Sequence, residues 1–212
     1  MIPNKKAIFF DNDGVLVDTE KLYFEASRQI LAEIGFELTK ELYLEYLLIQ
    51  GIGIWHLLDP KYTEADKTEL KERRNKLFTE FVLTRDIHIE GLEQLLANLS
   101  KKYRMCIVTS SKPDHFIAIH SRNNLLQYFE FVITSDDFTL FKPHPEPYLK
   151  ALERMKLEPD EVIVVEDTQR GLSAAKAAGL ECIIVRSELT KSCAFPEADY
   201  IVDNVLELRG ML

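Results

Sequence analysis

The chain of 212 residues has few cysteines, fewer basic than acidic side chains, and no long apolar run. Its three cysteines, Cys106, Cys182 and Cys193, lack the spacing of a metal site. The first two lie inside apolar runs, where a free cysteine behaves as a small hydrophobe. The sequence therefore predicts a reduced protein, and we expect it to be cytoplasmic.

The charge balance limits the possible partners. With 26 basic and 35 acidic side chains, the formal net charge is −9. Nucleic acids and anionic membranes require a basic face, so neither is an expected partner. A small phosphorylated metabolite needs only a local basic spot. Because no apolar stretch is long enough for a signal peptide or a membrane span, we expect an unprocessed, soluble protein, monomeric or weakly dimeric.

Internal repeats, low-complexity segments and Gly/Ser linkers are also missing, so only changes in hydrophobic period indicate the fold. Short runs rich in Ile, Val and Phe are typical of strands buried on both faces of a parallel sheet. These runs are 5–9, 104–110, 131–134, 162–167, 182–186 and 200–202. Helical patterns alternate with them at 90–102, 113–123, 145–155 and 169–178. The alternation predicts a doubly wound, Rossmann-like α/β fold.

One long segment departs from this alternation. Residues 17–87 show three or more helical stretches and no convincing strand, directly after the first strand. We therefore predict a core domain formed by 1–16 and 88–212, and a helical cap domain formed by 17–87. Asp18 is expected to cap the first helix of this insertion, with Glu20 in its first turn.

The stretch "FFDNDGVLVDTE", Phe9 to Glu20, ends the first predicted strand with two aspartates that flank a single residue. At an effective dielectric constant of ~20, two like charges ~4 Å apart repel by about 4 kcal/mol. Asp11 and Asp13 therefore predict a bound cation. Asn12 between them is expected to point away from the pair, and we assign it no chemistry.

Further polar residues end the other predicted strands. Thr109 and Ser110 follow the second strand, Glu166 and Asp167 follow a later one, and Lys142 precedes a predicted helix. Ligand sites of open α/β sheets lie beyond the carboxyl ends of the strands, so these side chains should converge. Carboxylate oxygens in this number suit Mg²⁺.

The order of these motifs resembles the haloacid dehalogenase (HAD) superfamily, in its subfamily with a helical cap after the first motif. The four motifs cover essentially the whole chain: "FFDNDGVLVDTE", "IVTSS", "KPHPEPY" and "VVEDTQRGLSAAKAAGL". The resemblance implies a phosphatase in which Asp11 is the nucleophile and forms an aspartyl-phosphate, and Asp13 is the general acid and base. It further implies that Mg²⁺ is held by Asp11, the Asp13 carbonyl, Asp167 and Glu166.

The same resemblance assigns the groups that bind the phosphoryl oxygens. The Thr109 hydroxyl and the backbone amide of Ser110 would donate hydrogen bonds, and Lys142 would neutralise Asp11 and the transferred group. The family usually has glycine before this lysine, whereas this chain has Phe141.

The cap is expected to select the substrate, with possible contacts at Tyr23, Gly51, Ile54 and Arg74. Sugar-phosphate mutases similar to this chain carry a cap histidine and a cap arginine, and these positions fall on Tyr23 and near Ile54. The sequence therefore favours a phosphatase acting on a sugar phosphate or a phosphoglycolate-like ester over a β-phosphoglucomutase-like mutase.

Three other interpretations stay open but are less favoured. A haloacid dehalogenase would lack the aspartate at Asp13. A receiver-type signalling domain would lack the helical insertion, and a non-catalytic phosphate-binding protein would be expected to lose Asp13 or Lys142.

Overall fold

A computed structural model describes residues 2–212, in which six strands form one fully parallel sheet. The order across the sheet is β3-β2-β1-β4-β5-β6, so the first strand lies near the centre. The strands are β1 (Ala7–Phe10), β2 (Arg104–Val108), β3 (Phe131–Ile133), β4 (Val162–Glu166), β5 (Glu181–Val185) and β6 (Tyr200–Val202). The predicted parallel α/β fold is confirmed.

The sheet is buried on both faces because β1 is wholly apolar and its neighbours β2 and β4 are apolar except at one end residue each, Arg104 and Glu166. Phe9 of β1 lies opposite Cys106 of β2 and Val164 of β4, and all three are fully buried. Successive residues point to opposite faces, so Ile8 and Phe10 pack in one core and Phe9 packs in the other.

Helices cover the two faces of the sheet and contribute to these two cores. The helices that follow the insertion are α4 (Leu92–Leu99), α5 (Pro113–His120), α6 (Glu146–Met155), α7 (Gln169–Ala177) and α8 (Leu208–Met211). Helices α4 and α5 pack on the Phe10 face, while α6 and α7 pack on the Phe9 face. Because all neighbouring strands are parallel, the carboxyl ends of all six strands lie at one edge of the sheet.

The insertion after β1 is helical and lies outside the sheet. It contains α1 (Glu20–Ala32), α2 (Lys40–Tyr43), a π-helical turn (Leu44–Ile49) and α3 (Glu64–Thr84). Where the chain leaves and re-enters the core, the amide of Asp18 donates to the carbonyl of Ile87 at 3.0 Å. The division at 17 and 87 remains a prediction. Among residues 2–212, no helix has the length and apolarity that crossing a bilayer requires.

The start of α1 differs from the prediction. Thr19, not Asp18, is the N-cap residue, and Asp18 pairs with Lys21 on the surface. The Thr19 hydroxyl does not cap the helix, because it donates to Asp13 at 2.5 Å instead. The residue that precedes α1 is thus tied to Asp13.

Helix α5 offers a matched pair of isoleucines for testing the core. Ile119 is 1% exposed and packs against cap residues that include Leu22 and Phe81, whereas Ile117 is 65% exposed. We expect Ile119→Ala to lower the free energy of unfolding by about 2–5 kcal/mol. Ile117→Ala should change it by less than about 0.5 kcal/mol. Urea unfolding of both variants measures the difference, and equal effects would contradict the packing described.

Candidate active site

A cavity of about 290 Å³ lies at the carboxyl edge of the sheet, beneath the helical insertion. Asp11 follows β1, Thr109 follows β2 and Glu166 ends β4, so three neighbouring strands each supply a polar residue to its lining. The volume is small for a ligand pocket and suits a small metabolite.

Lys142 forms the electrostatic centre of this cavity. Its ammonium donates to Asp11 Oδ1 at 2.7 Å, to Glu166 Oε1 at 2.6 Å and to the carbonyl of Val108 at 2.8 Å. The residue is 3% exposed. Burial alone lowers the pKa of Lys142, but the carboxylates of Asp11 and Glu166 outweigh it and the pKa is raised. Lys142 is therefore a permanent cation with all three protons donated.

Glu166 is held by hydrogen bonds on both carboxylate oxygens. Its Oε1 accepts from Tyr148 at 2.8 Å as well as from Lys142, and its Oε2 accepts from the amide of Asp167 at 3.1 Å and the hydroxyl of Thr168 at 3.2 Å. Burial raises the pKa of Glu166, but Lys142 and these donors reverse the shift, and the pKa is lowered. Glu166 thus holds Lys142 in place and has little capacity left for a direct metal bond.

Asp167 directly follows Glu166, the last residue of β4. Its Oδ2 is buried and has no hydrogen-bond partner among residues 2–212. Gly14 lies against it with φ +77°, and a Cβ on Gly14 would come within 2.0 Å of Oδ2. Oxygens of Asp11, Glu166 and Asp167 lie within 4.8 Å of one another. A buried carboxylate oxygen without a donor, beside a second carboxylate, fits a hard divalent cation.

The protonation of this cluster supports the same conclusion. Burial raises the pKa of Asp11 to about 7, opposed by Lys142 and reinforced by Glu166 and Asp13. Burial, followed by Glu166 and Asp11, raises the pKa of Asp167 well above its usual range. The protein alone therefore does not compensate the negative charge of both aspartates. A bound cation would supply the missing compensation.

Asp13 is held differently, by neutral donors. Its Oδ1 accepts from Thr19 at 2.5 Å, and its Oδ2 accepts from Ser111 at 2.8 Å and from the side-chain amide of Asn12 at 3.2 Å. Asp13 lines the cavity beside Asp11. Its carboxyl group is therefore fixed in one orientation without a salt bridge.

The loop after β2 places Thr109, Ser110 and Ser111 on the cavity. The Thr109 hydroxyl accepts from the amide of Ser111 at 3.0 Å. The amide of Ser110 donates to none of residues 2–212, and the Ser110 hydroxyl is buried without a partner there. Free donors at this position are available to an anionic ligand.

The insertion covers the cavity with one buried arginine. Arg74 is 6% exposed, its guanidinium carbon lies 4.2 Å from the centre of the Tyr23 ring, and its Nε donates to Asn75 at 2.8 Å. Within residues 2–212 no carboxylate pairs with it at 4.0 Å or less. Arg74 and Tyr23 both line the cavity.

Two other expected cap contacts lie elsewhere. Ile54 is 1% exposed and packs in the hydrophobic core of the insertion. Gly51 lies next to Arg170 and Lys142. A Cβ added to it would be 3.5 Å from Arg170 Cδ and 3.7 Å from the Lys142 carbonyl oxygen. Neither belongs to the cavity lining. Phe141 does line it, with its ring 5.2 Å from that of Phe138.

Several residues of the site escaped sequence reasoning. Ser111 had a usable signal, because Thr109 and Ser111 lie on the same side of an extended chain. Thr19 had none, since it reaches Asp13 only through the tight turn at Asn12, whose carbonyl accepts from the amide of Leu16 at 2.8 Å. Arg170 and His115 also line the cavity and belong to helices whose facing side the sequence did not reveal.

Comparisons with known proteins agree with this geometry. The chain is 34% identical to a phosphorylated carbohydrates phosphatase of Thermotoga maritima over 84% of this chain and 83% of that protein. It is 29% identical to a β-phosphoglucomutase of Bacillus subtilis over 82% of this chain and 80% of that enzyme. The crystal structure of CbbY from Rhodobacter sphaeroides with phosphate has a TM-score of 0.81 at 26% identity and covers 96% of both chains.

Residues 8–185, from β1 to the end of β5, match the model of the haloacid dehalogenase-like hydrolase family. That span includes Asp11, Lys142 and Asp167 together with the whole helical insertion. The chain belongs to the haloacid dehalogenase-like hydrolase family.

Proposed function

We propose that this protein is a Mg²⁺-dependent phosphatase that hydrolyses a small phosphate monoester through an aspartyl-phosphate on Asp11. The observation that carries the proposal is the pairing of Asp11 with Lys142 at 2.7 Å, beside an aspartate that is held by neutral donors. One carboxylate is thereby kept for attack and the other for proton transfer. Its relatives named as phosphatases support the same reaction class.

In the first step an Asp11 oxygen attacks phosphorus. The new O–P bond forms as the bond from phosphorus to the ester oxygen breaks, and Asp13 gives its proton to the leaving alkoxide. Asp11 Oδ2 accepts no hydrogen bond from residues 2–212, so it is available for the attack. The Thr109 hydroxyl and the Ser110 amide donate hydrogen bonds to the phosphoryl oxygens, and the nearby positive charge of Lys142 stabilises the charge that develops on them.

In the second step Asp13, now a carboxylate, takes a proton from water. The water oxygen bonds to phosphorus, the bond to Asp11 breaks, and inorganic phosphate leaves. The three hydrogen bonds to Asp13 stay in place through both steps, because each donor is neutral and fixed.

Asp11, Asp167 and the main-chain carbonyl of Asp13 would hold the Mg²⁺, with Glu166 acting through water. The ion supplies charge neutralisation between the nucleophile and the phosphoryl group. The protein's own part is to place these oxygens close together and out of water, where a bound cation would take the place of protons.

The substrate class follows from the cap. Arg74 lines the cavity and has no carboxylate partner among residues 2–212, so we propose that it binds an oxygen-rich group on the rest of the substrate, such as a phosphorylated carbohydrate. Tyr23 stands where the similar mutases have histidine, and Ile54 is buried. Both features favour a phosphatase over a mutase.

Replacing the nucleophile tests the mechanism. We expect Asp11→Asn to lower the turnover of p-nitrophenyl phosphate with Mg²⁺ by at least about a thousandfold, because the amide cannot form the acyl phosphate. The exposed Asp136 provides the matched control, and Asp136→Asn should retain wild-type turnover. Activity near wild type in Asp11→Asn would mean that the nucleophile lies elsewhere.

A second assay separates a phosphatase from a mutase. When the wild type is given β-glucose 1-phosphate and a bisphosphate primer, glucose 6-phosphate forming faster than free phosphate would establish a mutase.

Metal binding can be measured without turnover. At a hundredfold excess over its Kd, Mg²⁺ stabilises the folded state by about 2.7 kcal/mol, which raises Tm by about 5–10 °C. Asp167→Asn should remove most of this rise, whereas Asp136→Asn should keep it. EDTA should reverse the rise in the wild type. A Tm in Asp167→Asn that responds to Mg²⁺ as the wild type does would contradict the proposed ligand.

The neighbouring arginines of α3 separate recognition from surface charge. Arg74 lines the cavity, whereas Arg73 is paired with Glu33 on the surface. A hydrogen bond to a charged group contributes about 1.5–3 kcal/mol. We therefore expect Arg74→Met to raise KM for phosphorylated sugars by about tenfold or more, with Arg73→Met near wild type. Kinetics on a panel of sugar phosphates measure this, and equal KM values for the two variants would refute a role for Arg74.

A further inference from the structure

Behind Asp13, a series of hydrogen-bonded buried side chains leads away from the cavity. The Nε2 atom of His120 lies 2.7 Å from Asn12 Oδ1, and Asn12 Nδ2 donates to Asp13 Oδ2 at 3.2 Å. Asn12 is fully buried and His120 is 6% exposed. Asn12 and His120 occupy core space that apolar side chains would otherwise fill. Buried polar groups cost free energy unless they are hydrogen-bonded, so each of these side chains needs its partner in the series.

The Asp13 carboxylate determines which atom donates and which accepts at each hydrogen bond of this series. Asp13 Oδ2 is an acceptor, so the amide of Asn12 must turn its nitrogen toward it. Asn12 Oδ1 then faces His120, and the ring nitrogen Nε2 carries the proton that it donates. The face of the ring packs against Phe116, whose ring centre is 4.5 Å away.

We infer that Asn12 and His120 are positioning residues that aim the proton-transferring carboxyl group of Asp13 at the leaving-group oxygen. The inference rests on the proposed phosphatase reaction and extends it to two residues outside the cavity lining. Thr19 fixes Oδ1 and Ser111 approaches Oδ2 from the cavity side, while Asn12 supplies the remaining donor from the core. Because His120 contacts Asp13 only through Asn12, it acts by fixing the amide.

The expected signature is a stronger dependence on the leaving group. Attack by Asp11 expels p-nitrophenolate with little help from an acid, whereas phenolate needs the proton more. In Asn12→Leu and His120→Leu we expect kcat/KM for phenyl phosphate to fall about tenfold more than kcat/KM for p-nitrophenyl phosphate. The comparison uses two esters of similar shape on one enzyme preparation, so a partly unfolded sample changes both values equally and leaves the ratio intact.

Two further variants separate positioning from packing. His120→Gln keeps an N–H donor for Asn12 and should restore the wild-type ratio, whereas the exposed Asn98→Leu should not alter it. The double variant Asn12→Leu/His120→Leu should have the same ratio as Asn12→Leu alone, because His120 acts through Asn12. Equal losses on both esters in the single variants would overturn the inference. A wild type that cleaves neither ester with Mg²⁺ would instead refute the proposed phosphatase.

Discussion

The site depends on the buried ion pair that Lys142 forms with Asp11 and Glu166. Their side chains lie almost entirely out of water, where removing one partner of such a pair costs about 3–5 kcal/mol. Both carboxylates reach the lysine because β1 and β4 are neighbours in the sheet and end at the same level. The sheet order therefore decides which charges meet, and the ion pair decides which Asp11 oxygen is left free.

The two aspartates of the first motif have opposite environments, and this difference separates their tasks. Asp11 is held by a cation, while Asp13 is held by hydroxyl and amide donors only. A neighbouring ammonium favours the ionised form of a carboxylate, which a nucleophile requires. A carboxyl group that is held by neutral donors can exchange its proton without breaking a salt bridge. This contrast supports the proposed roles of Asp11 as the nucleophile and Asp13 as the acid.

The fold was predictable because its signals are local. A strand that is buried on both faces is recognisable from the apolar composition of its own residues. The rule that ligand sites lie beyond the carboxyl ends of strands then predicted that Asp11, Thr109, Lys142 and Asp167 lie at one edge of the sheet. Side-chain direction at the end of a strand was harder to predict. Asn12 was expected to point away without a role, yet a tight turn after it brings its amide back to Asp13. No periodicity rule describes such a turn.

The cap was the least predictable part because its residues act through helix faces that only packing defines. Ile54 and Arg74 were both expected to contact the substrate, but the apolar side chain is buried within the cap, whereas the arginine stacks on Tyr23 and lines the cavity. Burying a guanidinium without a carboxylate costs free energy unless a ligand supplies the acceptor. The proposed chemistry therefore rests on residues at the strand ends of the core, whereas the proposed substrate contact rests on Arg74 of the insertion. Under that proposal, substrate choice can change in the insertion without disturbing the balance of charge around Lys142.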